Sequence, residues 1–586
     1  MNQHDDEVTA KPKGALLGRR TFVATLAGAA AGLAASLNSP AQTRQGPKRP
    51  KPVTVSGAST IAETAYGKVR GFRHDGVYIF KGVPYAASTA GNNRFMPPAK
   101  PDPWIGVRNA LQYGPVCYMQ DLLFLQTDHR NLAATDEDAF LLHRGSAAMV
   151  PGEDCLRLNV WTPEINGSHK RPVMVYMHGG GFANGCGHDL LSYEGESLAR
   201  NHDAVVVNHN HRLNAFGYLN LSGMGGDEFA SSANCGLLDL VAVLQWVREN
   251  ISTLGGDPEN VTIFGQSGGG GKVVALMAMP AAKGLFHRAI VQSGPFLRML
   301  SSDYSHEVAE RMLNELQIPK TRLHDLRTIA PHRLSAAAAE AMRKMPKRAP
   351  SLRDTFGETG WGPTVDRHIL PAHPFDPGAP AISADVPLMT GSNLNEFISG
   401  LDHPDARSMT IDELQQRVRE DFGNEGSAII EAYRREYPDA KPFDLYAAIA
   451  ASRFRIPAVE QASRKAALGR APAYAYIYSW RTPVLDDRVG TFHACEISFA
   501  FDNAELCDHY SAGTPESLAL SRQMGSAWVA FARTGNPNHS GLPQWPAYET
   551  QSKATMIFDS PCRVKNNPEG TGLRLIADST RSIPLS

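Results

Sequence analysis

Apolar residues in this chain come in short blocks. Val173-Met174-Val175-Tyr176-Met177, Val205-Val206-Val207 and Val261-Thr262-Ile263-Phe264 are uninterrupted runs of strand length, the pattern of strands buried on both faces. Between about residues 170 and 300 they alternate with helical patterns such as Leu237 to Asn250, and that alternation predicts βαβ units around a mostly parallel sheet. After Ser293 the chain turns helix-rich and alanine-rich, as around Leu334 to Met345, before another strand-like run, Val386-Pro387-Leu388-Met389-Thr390. Helical insertions are expected near 300–380 and 405–470. No internal repeat is visible.

Candidate chemistry sits where these runs end. Val261 to Phe264 leads into Gly265-Gln266-Ser267-Gly268-Gly269-Gly270-Gly271 and then a helix-forming stretch, Val273 to Met279. A serine in Gly-x-Ser-x-Gly spacing between strand and helix occupies a sharp turn that presents its hydroxyl for attack on carbonyls. A second glycine run, His178-Gly179-Gly180-Gly181-Phe182, follows the Val173 to Met177 strand, where backbone amides can face a developing alkoxide. A catalytic serine needs a base, and the base an acid, in the chain order Ser, acid, His. Glu396 lies just past the Val386 to Thr390 strand, and His493 lies in the loop Gly490-Thr491-Phe492-His493-Ala494-Cys495-Glu496, ahead of the apolar segment Ile497 to Phe501.

These motifs carry a resemblance. With Gly67-Lys68-Val69-Arg70-Gly71, Phe80-Lys81-Gly82-Val83-Pro84-Tyr85-Ala86, Arg94-Phe95-Met96-Pro97-Pro98, Glu153-Asp154-Cys155-Leu156-Arg157-Leu158-Asn159-Val160, Gly255-Gly256-Asp257-Pro258, Thr534-Gly535-Asn536-Pro537 and Trp545-Pro546, the chain resembles the type B carboxylesterases, which include cholinesterases and bacterial para-nitrobenzyl esterases. The resemblance implies the α/β-hydrolase fold and a serine carboxylic-ester hydrolase. It places Ser267, Glu396 and His493 where the family has its triad, and the amides of Gly180, Gly181 and Gly268 where it has its oxyanion hole. It also implies a Cys117–Cys155 disulfide and a structural Arg94–Glu153 ion pair. The helical insertions would then lie over the catalytic face, and Phe182, Trp361 and Phe397 are plausible lining residues. Three positions depart from the family pattern: Gln266 for a glutamate, Gly268 for an alanine and Asn395 for an aspartate. Losing the carboxylate at 266 argues against selection of cationic substrates.

Rival readings are weaker. Asp385 and Asp402 flank Glu396 but lie farther from the strand end, Ser293 lacks the elbow glycine before it, and His178 is expected to shape the glycine loop rather than take protons. His209 and His211 share a strand face by period-2 spacing without a third metal ligand in range. Lys272 follows a glycine run, but Gln266 and Val273 stand where a phosphate loop needs glycine and Ser or Thr. An interaction protein on the same scaffold is the non-enzyme alternative, yet such relatives, neuroligins among them, typically lack the nucleophile. Lipase-like or acyl-transfer activity on longer acyl esters is the enzymatic alternative to small or aromatic esters. No metal or cofactor is called for.

Composition fits one large domain: 586 residues, 42% hydrophobic, 20% charged, with formal net charge −1. No basic patch suggests nucleic acid, no long apolar span suggests an integral membrane protein, and oligomeric state is not encoded legibly. Arg19-Arg20-Thr21-Phe22-Val23, the mildly apolar stretch Ala24 to Leu37 and the small-residue site Ser39-Pro40-Ala41 read as a twin-arginine export signal over 1–41, hence a periplasmic or secreted protein. Residues 42–58 read as a disordered lead-in and 59–586 as a single domain. The 7 cysteines suit an oxidising compartment, with Cys495 and Cys507 a possible second pair and Cys186 and Cys235 buried thiols.

Overall fold

The computed structural model of the chain describes residues 52–119, 140–141, 149–346, 360–397 and 407–581. The expected signal segment 1–41, most of the lead-in and the rival acid Asp402 lie outside the described residues.

The apolar blocks form the centre of a 12-stranded sheet. In spatial order Val205–His209, Arg171–Met177, Gly256–Gln266, Arg288–Gln292, Leu388–Asn393, Ala473–Tyr478 and Ala554–Phe558 run parallel throughout. Antiparallel strands extend both margins: Arg157–Thr162, Val77–Pro84, Phe72–His74 and Val53–Thr54 on one side, Arg563–Asn566 on the other. The strand carrying the serine pairs Ile263 with Val175 on one neighbour and with Ala289 on the other. It therefore sits in the interior of the sheet, where neither edge is free to shift.

Both faces of this sheet are covered, and one strand displays it. Val173, Val175 and Met177 belong to a core shared with the helix Cys235–Asn250 and the helix Gly268–Ala278. Met174 and Tyr176 point the other way, into a core with Met524 and Trp528 of the helix Pro515–Thr534. A strand with two buried faces has no polar positions to alternate, which is why its sequence reads as a continuous apolar run.

The region near 300–380 holds the helices Ser302–Leu316 and Pro331–Arg343, and their Tyr304, Val308, Met312 and Leu334 join the main core. The second insertion keeps a small core of its own, with Leu414, Val418, Ile429, Ile430 and Leu445 from three successive helices meeting Ile576 near the C-terminus. Its first helix, Ile411–Phe422, starts at a capping box in which the Thr410 hydroxyl accepts from the Glu413 amide at 3.2 Å and the Glu413 carboxylate accepts from the Thr410 amide at 2.7 Å. One stretch among the described residues, Asp227–Leu254, is long and apolar enough to cross a membrane. Most of it is buried inside the protein, as a core helix is, so its apolar character is spent on packing.

Candidate active site

The strand Gly256–Gln266 ends at Ser267, and the helix Gly268–Ala278 begins at the next residue. The sequence pattern places that helix from Val273; it starts earlier and takes in all four glycines. Packing explains the difference, since a Cβ at Gly269 would stand 1.9 Å from the Met177 carbonyl oxygen, so only glycine lets the helix approach the neighbouring strand. Ser267 itself adopts φ 58° and ψ −126°, a conformation that costs a serine about 1–3 kcal/mol. The turn is held from both sides: the Ser267 amide donates to the Gln292 carbonyl at 2.8 Å, and the Ser267 carbonyl accepts from the Gly271 amide at 3.2 Å.

Glu396 and His493 come from loops far apart in sequence and are joined as a small latch. Glu396 follows the strand Leu388–Asn393 and has φ 55°. One carboxylate oxygen accepts from the Asn393 amide at 2.8 Å, and the other lies 2.5 Å from His493 Nδ1. The backbone repeats the pairing: the Glu396 amide donates to Thr491 at 3.2 Å and the His493 amide donates to Glu396 at 3.0 Å. Asn395 completes it, its side-chain oxygen accepting from the Thr491 amide at 2.9 Å and from the Thr491 hydroxyl at 2.8 Å. A neutral acceptor suffices for both bonds, which accounts for an asparagine where the family carries aspartate.

On its other side His493 faces Gln266, whose side-chain amide nitrogen is 3.2 Å from Nε2. The ring is capped by Phe397, stacked at 3.9 Å between centroids, with Phe454 tilted at 5.6 Å. Phe397 is 52% exposed, so it stands at the mouth of the site. The other two expected lining residues are buried. Phe182, at the end of the glycine loop, packs against Phe296 and Tyr218, and Trp361 is likewise enclosed.

The glycine loop after Met177 turns through Gly180 at φ 83° and Gly181 at φ 62°. Among the described residues no protein group accepts a hydrogen bond from the amides of Gly180, Gly181 or Gly268. The Gly181 and Gly268 backbones meet next to Ser267: a Cβ on Gly268 would fall 2.2 Å from the Gly181 carbonyl oxygen. The loop rests directly on the first residue of the elbow helix, and that contact leaves no space for the alanine of the family pattern.

The remaining candidates separate cleanly. Arg94 and Glu153 form a two-pronged pair at 2.6 Å, and Arg94 also donates to the carbonyls of Leu326 and Ile329, so the pair holds scaffold. Asp385 is on the surface with Arg470. Ser293 is fully buried, with φ 46° and no partner for its hydroxyl among the described residues. His209 and His211 are buried imidazoles, and no cluster among the described residues could hold a metal.

The two cysteines of the expected disulfide lie side by side. Cys117 and Cys155 are both free thiols. They are close enough for a side-chain hydrogen bond that, ahead of burial, pushes the Cys155 thiol well up, so the pair is in contact without a covalent bond. Cys495 and Cys507 are free and buried as well.

Three contributors were not singled out from the sequence. Glu496, three residues beyond His493, is fully buried and accepts from Asn393 Nδ2 at 2.7 Å. Burial, and secondarily the Glu396 charge, push its carboxyl up to about 7. Arg455 donates to the carbonyls of Asn393 at 2.9 Å and Leu394 at 3.2 Å, and pairs with buried Glu569, bracing the strand end that carries Glu396. Thr491 is the third. Their only sequence signal is a polar residue in an apolar setting.

The chain is similar to known proteins along most of its length. A sequence profile described as the Carboxylesterase family matches residues 58–576. The para-nitrobenzyl esterase of Bacillus subtilis (strain 168) is 35% identical over 87% of this chain and 96% of its own length. Among solved structures, an esterase from Clostridium hathewayi that can hydrolyse aliphatic aromatic polyesters superposes with TM-score 0.76 at 35% identity, covering 90% of this chain and 100% of that one. A Geobacillus stearothermophilus carboxylesterase superposes with TM-score 0.70 at 33% identity, covering 88% and 99%. Elbow, glycine loop and acid–histidine latch thus sit on a scaffold shared along nearly the full length of these relatives, and the chain belongs to the carboxylesterase family, as a carboxylic ester hydrolase of the α/β-hydrolase fold.

Proposed function

We propose that this protein cleaves small or aromatic carboxylic esters through an acyl-enzyme on Ser267. His493, with Nδ1–H held by Glu396, takes the Ser267 proton at Nε2 as the serine oxygen bonds to the ester carbonyl carbon. The amides of Gly180, Gly181 and Gly268 receive the resulting oxyanion. The tetrahedral intermediate collapses by expelling the alcohol, protonated by His493, and water activated by the same nitrogen then releases the acid and restores Ser267.

The observation that carries this reading is the strained backbone of Ser267 next to a glycine loop whose amides at 180 and 181, like that of Gly268, donate to no group among the described residues. The pair φ 58°, ψ −126° lies outside the left-handed region and is one that a structural turn gives to glycine. The preference for aromatic esters is supported by the exposed Phe397 ring over His493 and by the Clostridium hathewayi relative, whose polyester substrates are partly aromatic.

The twin-arginine sequence Arg19-Arg20 and the small-residue site ending at Ala41 support export and cleavage near residue 41, and in the periplasm or outside the cell Cys117 and Cys155 would close as a disulfide. The site assignment is tested by treating the protein with an aryl dialkyl phosphate and mapping the adduct by mass spectrometry. Modification of Ser267 alone, with matching loss of esterase activity, is expected. Inactivation with the label on another residue refutes the assignment.

A further inference from the structure

The elbow helix Gly268–Ala278 carries one charged residue, Lys272, and the mechanism above does not use it. Its side chain is fully buried. The ammonium donates to the His178 carbonyl oxygen at 2.8 Å and lies 5.6 Å from the centre of the Phe182 ring. Among the described residues it makes no other hydrogen bond and no ion pair. His178 and Phe182 are the two ends of the glycine loop, so one cation touches both flanks of the segment that presents Gly180 and Gly181.

The surroundings sharpen the point. His178 on the loop, and His209 and His211 on the neighbouring strand and its end, are pulled down by burial first and by the Lys272 charge second, so these imidazoles are neutral. His188 is likewise lowered, to about 4, by burial and by Lys81. Asp189 is the acidic group whose field acts on Lys272. Burial nevertheless pulls Lys272 down to about 7. A buried ammonium is destabilising compared with an apolar side chain of the same length. Such groups are concentrated where charge develops during a reaction.

We propose that Lys272 is a positioning residue of the oxyanion hole, its ammonium fixing the loop through the His178 carbonyl and placing positive potential behind the amides of Gly180 and Gly181. The ester carbonyl is neutral in the ground state and its oxygen is anionic in the tetrahedral state. Where Lys272 carries its proton, that charge favours the second over the first, acting on kcat more than on KM. The inference rests on the assignment of Ser267 and the three glycine amides above.

The test uses Lys272→Met, which removes donor and charge, and Lys272→Gln, which keeps an N–H donor without charge. Each is assayed on a para-nitrophenyl ester and with an alkyl trifluoromethyl ketone. That ketone adds the Ser267 oxygen to its carbonyl carbon, passes the proton to His493 and leaves an oxyanion in the hole. Both variants are expected to lose at least about tenfold in kcat with KM changed less than threefold, and to lose ketone affinity by a similar factor. The Gln variant decides the matter if the Met variant does not fold. Either folded variant with kcat within twofold of wild type overturns the proposal, as does a kcat loss with ketone affinity intact. Ser267→Ala is the control: a wild type that binds the ketone no better than this variant removes the site assignment and the inference with it.

Discussion

The side-chain amide nitrogen of Gln266 stands 3.2 Å from Nε2 of His493, the ring atom opposite the one held by Glu396. With Nδ1–H donating to the carboxylate, Nε2 is a lone-pair acceptor, and the Gln266 N–H stabilises that tautomer. The residue before Ser267 therefore holds His493 in the tautomer with an unprotonated Nε2. A carboxylate at this position would instead favour the protonated ring. Gln266→Glu is expected to move the acid limb of the kcat/KM profile to higher pH by about one unit, leaving the plateau within several-fold of wild type. An unshifted limb would show that the contact does not persist in solution.

Phe397 offers the exposed aromatic surface nearest His493. A stacked aromatic pair contributes about 0.5–1.5 kcal/mol beyond area burial, or roughly two- to tenfold in rate. Phe397→Ala is expected to lower kcat/KM for benzyl esters by that factor relative to ethyl esters of the same acid. Equal losses on both would assign Phe397 to supporting the histidine ring rather than to choosing substrate.

The strain at Ser267 separates chemistry from stability. Glycine tolerates φ 58° without a Cβ penalty, whereas alanine retains it. Ser267→Gly is expected to be more stable than Ser267→Ala by about 1 kcal/mol in urea unfolding, with both inactive. Equal midpoints would mean that the elbow relaxes when its hydroxyl is absent.

Glu496 makes stability depend on pH with a definite sign. Its carboxyl is raised from 4.5 to about 7 by burial and then by Glu396, so the folded protein holds this proton more tightly than the unfolded chain. That contribution is complete below the unfolded value and is lost as pH rises through 7. Glu496→Gln stays neutral throughout. Between pH 5 and pH 8 the wild type is expected to lose on the order of 1 kcal/mol or more of unfolding free energy relative to the variant. Parallel curves for the two proteins would contradict this.

Local features of the site are legible in the sequence. Ser267, Gly180 and Gly181 announce themselves because each sits within a few residues of a strand end, where spacing and glycine content carry the geometry. Glu396 and His493 are legible as residues just past apolar runs, but their latch is not. The bonds among Asn395, Thr491, Glu396 and His493 depend on tertiary register between segments that only the fold brings together. The same holds for Arg455 and Glu569, which meet behind the strand end. Gly268 is visible in sequence as a departure from the family pattern, and only the contact with Gly181 gives the reason. The early start of the elbow helix escapes a propensity argument, because packing overrides the poor helix preference of four glycines.

Initial hydrolysis rates on para-nitrophenyl esters from acetyl to dodecanoyl, for the wild type beside Ser267→Ala, test the central claim most directly. The account predicts that the wild type turns over short esters best and that Ser267→Ala falls by at least about a thousandfold on every ester. A folded Ser267→Ala variant with undiminished turnover, or a folded wild type as inactive as the variant, would contradict it.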